Sequence, residues 1–89
     1  MATIISSQKT VTTSPTQIAM GLVGASWVYL HAPTGGGEVY IGNSDVTTGN
    51  GFALPKGETH QIWLPENDKL YAVVGSGTEV LYVLHTGGR

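Results

Sequence analysis

Lys69-Leu70-Tyr71-Ala72-Val73-Val74 and, beyond Gly75-Ser76-Gly77, Thr78-Glu79-Val80-Leu81-Tyr82-Val83-Leu84-His85 are the runs that decide the fold. Both are rich in β-branched and aromatic residues and are bounded by glycine, so they read as strands, expected to pair as a hairpin across the glycines. Neither shows the usual polar face. Tyr71 and Val73 alternate with Leu70, Ala72 and Val74, and Val80, Tyr82 and Leu84 alternate with Leu81 and Val83. A strand of a half-exposed sheet carries polar residues on its outer side. Burial in the middle of a sandwich accounts for one such strand. For both together, the expectation is that the second face is covered by a neighbouring subunit, in a symmetric oligomer such as a trimer.

The same reading extends upstream. Thr59-His60-Gln61-Ile62-Trp63-Leu64 is a strand stopped by Pro65-Glu66-Asn67-Asp68. Glu38-Val39-Tyr40-Ile41-Gly42 alternates, with Val39 and Ile41 on one side. Between them lie a polar loop from Asn43 to Gly51, with Asn50-Gly51 suited to a type I′ turn, and Leu54-Pro55-Lys56-Gly57, suited to type I. Ser26-Trp27-Val28-Tyr29-Leu30-His31-Ala32 is a further strand, and Gln17-Ile18-Ala19 a short one after the Ser14-Pro15 break. Residues 1–13 read as an extended N-terminal strand or arm and 86–89 as a loose tail. Turns every 8–12 residues between such runs specify an all-β chain. The fold expected is one antiparallel β domain over residues 1–89, a small jelly-roll-like sandwich or barrel of seven to eight short strands.

Composition narrows the function. Eighty-nine residues bury roughly 60–65% of their unfolded surface, which leaves little scope for a deep pocket beside a core. Charged residues make up 11% of the chain against about 25% in an average domain, so the surface is polar but weakly ionised and resists self-association poorly. Four Lys plus Arg make no basic stripe, which argues against nucleic acid as a partner. With no cysteine there is no disulfide framework. The opening residues lack the pattern of a signal peptide, and no stretch reads as a membrane span. The expectation is synthesis in the cytoplasm and no membrane partner.

The search for chemistry yields little. His60 has Glu58 on its face but lacks the second His two residues on that a cupin-type metal strand needs. Ser26 and Ser44 each lack the second glycine of a nucleophile elbow, and neither sits between a strand and a helix. Glu66 and Asp68 share a turn, where solvation is their ordinary role, and Gly35-Gly36-Gly37 lacks the Lys-Ser/Thr of a phosphate loop. No catalytic residue, metal or cofactor is expected. Aromatic residues are the exception. Trp27 and Tyr29 share one strand face, and Trp63 shares its face with Gln61 and Thr59, a setting that suits a protein interface or sugar stacking. The candidate interface is Trp27, Tyr29 and Trp63, with Thr3 and Ile5 from the opening stretch.

Val39-Tyr40-Ile41-Gly42, followed by Val46, Gly51, Leu54 and Gly57 and then Leu70-Tyr71-Ala72, resembles small β-sandwich structural proteins of tailed bacteriophage virions. The resemblance covers rather more than half the chain. It implies a non-enzymatic capsid decoration (cementing) protein, trimeric, on the capsid surface of the virion and docked on the major capsid protein or another virion protein. It further implies that the Thr-rich segment Thr3 to Thr13 adds as a strand to a neighbour. The alternative function is a carbohydrate- or receptor-binding module of a phage tail or fibre.

Overall fold

In a computed structural model, which describes residues 3–21, 26–35 and 37–87, the alternating segments form eight strands. They are β1 (Thr3–Val11), β2 (Thr16–Met20), β3 (Ser26–His31), β4 (Val39–Gly42), β5 (Phe52–Ala53), β6 (Thr59–Leu64), β7 (Lys69–Val74) and β8 (Glu79–Gly87). Two four-stranded antiparallel sheets result, in the orders β1-β8-β3-β6 and β2-β7-β4-β5. Except at β4–β5, each strand is followed by one in the opposite sheet. That is the jelly-roll form of sandwich.

The core is one apolar layer between the sheets. The first sheet contributes Val11, Val28, Leu30, Leu64, Leu81 and Val83, and the second Ile18, Val39, Ile41, Leu70, Ala72 and Val74. Val39 and Ile41 share the inward face, as their alternation requires.

The expected β7–β8 hairpin does not form. β7 lies between β2 and β4 in one sheet, and β8 between β1 and β3 in the other. Each is flanked on both sides, so each satisfies its ladder elsewhere, and Gly75–Thr78 carries the chain between layers, with Gly77 at a φ of 65°. The doubly apolar pattern therefore has two causes. On the outer side of β7, Val73 is buried beneath the 43–51 loop, whose Val46 is buried with it. The outer side of β8 has no such cover: Val80, Tyr82 and Leu84 are exposed.

Two turns differ from expectation. Neither Asn50 nor Gly51 takes the positive φ of a type I′ turn. Instead the Asn50 and Gly51 amides both donate to the Thr47 carbonyl, and the Asn50 side chain accepts from the Thr47 amide at 2.7 Å. Glycine is needed at 51 for space, because a Cβ there would lie 2.7 Å from that of Tyr40 and 2.9 Å from a Val46 methyl. The Gly57 amide donates to Ala32 at 2.6 Å, tying the 54–57 segment to the end of β3. Phe52–Ala53, between the expected loop and turn, is a two-residue edge strand. β1 is paired in cis with β8 along its length, and β8 runs on through Thr86 and Gly87. Gly88 and Arg89 of the expected tail lie outside the described residues.

The opposed roles of neighbouring leucines on β8 are measurable. Leu81→Ala removes a fully buried side chain and should cost about 2–5 kcal/mol in urea unfolding. Leu84→Ala, on the outer face, should cost under about 1 kcal/mol. Equal losses would contradict the assignment of faces.

Candidate functional site

The register of the first sheet arranges its outer side chains in rows that cross the strands. Ile4, Thr86, Trp27 and Trp63 stand in one row, Ser6, Leu84, Tyr29 and Gln61 in the next. Gln8, Tyr82, His31 and Thr59 form a third, followed by Thr10 and Val80. No Asp, Glu, Lys or Arg occupies any of these positions. The charged residues among those described stand on loops, on the second sheet or on the inward parity of β1 and β8. Exposure along the face is high for apolar groups: 76% for Ile4, 51% for Trp63, 43% for Tyr82 and 39% for Leu84. A contiguous apolar patch on a small protein marks a contact or ligand surface.

The face has two parts. At one end Trp27 and Trp63, directly opposed in register, meet edge to face with centroids 4.9 Å apart and planes at 66°. That geometry places the positive edge of one ring on the negative face of the other. Toward the other end the sheet is hollowed into a trough of about 570 Å³, reached from all four strands and lined by Ser6, Gln8, Tyr29, His31, Thr59, Tyr82 and Leu84, among others. The rings of His31 and Tyr82 are parallel within 2°, with centroids 6.1 Å apart. Gln61 Nε2 donates to the Tyr29 hydroxyl oxygen at 3.1 Å, which fixes the phenol.

Of the residues singled out from sequence, Trp27, Tyr29 and Trp63 thus share one face. Ile5 does not. It has the inward parity of β1 and lines a cleft of about 200 Å³ between β1 and β2, beside Lys9 and Met20. Its neighbour Ile4 takes the outer position. The side chain of Thr3 lies outside the described residues. Ile4, His31, Tyr82 and Leu84, which sequence reading did not single out, stand on that same face, and the doubly apolar β8 was the signal for the last two.

The histidines are dispersed. His31 belongs to the trough, and His60 packs near Phe52 at 5.1 Å, beside the β5–β6 edge of the sandwich. Among the described residues no three His, Cys, Asp or Glu side chains converge as a metal site. His85 is buried, with Nε2 2.7 Å from Ser26 Oγ, a contact between positions 59 residues apart. Ser26 is only 1% exposed, so this hydroxyl is closed to any external reactant and serves to join β3 to β8. Burial holds the His85 pKa below its ordinary 6.5, because the charged imidazolium loses hydration there.

No family model matches the sequence, and no curated protein matches it. Among solved structures, one of the Bacillus endospore appendages that form a novel family of disulfide-linked pili superposes with a TM-score of 0.69 at 16% identity. The superposition covers 97% of this chain and 84% of that one, and it shows a shared fold. The linkage in that description has no counterpart here, since the chain contains no cysteine.

The buried imidazole gives a pH dependence of defined sign. With the folded pKa lowered, the unfolded state takes up the proton first, so His85 contributes its full stability above pH 6.5 and loses it as pH falls through the depressed folded value. Urea midpoints should fall between pH 7.5 and 5, and the fall should be smaller in His85→Gln. An identical slope in that variant would remove His85 as the cause.

Proposed function

We propose that the chain is a non-enzymatic structural subunit that assembles with copies of itself through the open edges of its first sheet. The observation that carries this reading is the contrast between edges. In the second sheet, β2 is interrupted by a bulge between Gln17 and Ala19, and β5 is two residues long. Irregular or very short edges discourage strand addition. In the first sheet, β1 extends over nine residues with Lys9 its one charge, and β6 over six with no charge and no proline. Both stand at the end of the strand order.

The directions of these edges favour a repeating assembly. Three antiparallel pairings separate β1 from β6, so the two strands run in opposite senses. A copy displaced sideways and turned about the stacking axis by the sheet twist therefore brings its β1 antiparallel to β6 of the first, and the sheet continues across the boundary. Such head-to-tail contacts build rings or filaments. The shared fold with a pilus protein supports a multi-copy role on an exterior surface. The finer reading, from the virion-protein resemblance, is a capsid decoration protein on a bacteriophage head. Counting its copies in purified virions against those of the major capsid protein tests that finer reading.

Light scattering should give a mass above the 9.3 kDa of one chain that grows with concentration. Ile4→Lys with Thr10→Lys puts charges on exposed positions of the β1 edge and should shift the species toward monomer without changing the thermal midpoint by more than a few degrees. A wild-type chain that stays monomeric at high micromolar concentration would refute self-assembly.

A further inference from the structure

We propose that the trough on the outer face of the first sheet binds a neutral oligosaccharide. This goes beyond the assembly reading and does not depend on it, because the trough lies on the face of the sheet and the proposed contacts run along its edges.

The chemistry of the lining selects the ligand class. No Asp, Glu, Lys or Arg side chain lines the trough, so it lacks the fixed charges that hold a phosphate, a sulfate or a polyanionic chain. Aromatic planes and polar groups are interleaved across the strands: Tyr82 and His31 lie side by side, with Gln8 beyond Tyr82 and Thr59 beyond His31. Sugars match this pattern, having C–H faces that stack on rings and hydroxyls around their rims. The near-parallel His31 and Tyr82 rings, stacked on one another across β3 and β8, supply aromatic surface, and the Gln61 bond presets Tyr29 beside them. Gln8, Ser6 and Thr59 carry groups that both donate and accept, as a hydroxyl-bearing ligand requires.

Shape agrees with chemistry. A volume of about 570 Å³ falls within the ~300–1,000 Å³ of small-molecule sites. Because all four strands contribute to the lining, the hollow runs across the sheet, which suits a short chain of sugar units lying perpendicular to the strands. An extended peptide fits less well. Its backbone amides and carbonyls seek a strand edge, whereas this surface presents side chains only. The stacking platform is thus Tyr82, His31 and Tyr29, and the tryptophan pair stands outside the trough.

The test is calorimetric titration of the full chain with cellotriose, xylotriose, maltotriose, N-acetylchitotriose and an acidic trigalacturonate, preceded by a glycan array to extend the panel. At least one neutral glycan is expected to bind, with trigalacturonate silent. Tyr82→Ala should weaken that binding by about three- to tenfold. Gln8→Leu, a change at an exposed position, should weaken it with an unchanged melting curve, whereas Tyr71→Phe on the second sheet should leave it intact. Failure of every neutral glycan on the array, preference for the acidic one, or undiminished binding by folded Tyr82→Ala and Gln8→Leu variants would overturn the assignment.

Discussion

A single apolar layer joins the two sheets, and β8 lies at the middle of it. Leu81 and Val83 enter the core from this strand, while its backbone pairs with β1 over nine positions and with β3 over six. His85 extends the inward row with a polar group whose partner is Ser26, on the neighbouring strand. The inward positions of β8 are thereby committed to packing. Whatever the chain does toward other molecules from this strand falls to Val80, Tyr82, Leu84 and Thr86 on its other side.

Six of the eight strands were legible because short β-branched or aromatic runs stand between glycine and proline punctuators, and β1 was read as a strand or arm. β5 was not, since two residues carry no period. The β7–β8 hairpin failed for a different reason. Local pattern identifies a strand but does not say which strand it joins, and in a jelly roll successive strands mostly belong to opposite sheets. The doubly apolar pattern had separate origins in the two strands, a covering loop over Val73 and open solvent beside Leu84.

The candidate site was legible in part. Alternation put Trp27 and Tyr29 on one side of β3 and Trp63 with Gln61 on one side of β6, and the pairing of β3 with β6 joins them on one face. Ile4 and Ile5 are both apolar, and only pairing with β8 decides that Ile4, not Ile5, stands on that face. The trough itself depends on cross-strand register between segments far apart in sequence, which no local reading supplies. The Ser26–His85 contact was out of reach for the same reason.

The opposed senses of β1 and β6 have a consequence for recognition at long range. If copies join edge to edge, the sheet twist turns each outer face relative to the last, and the hollows follow a helical line that rises roughly 19 Å per copy, four strand spacings. A long polymer lying along that line would engage many weak sites at once, so its residence would be set by avidity, while a short fragment would exchange freely.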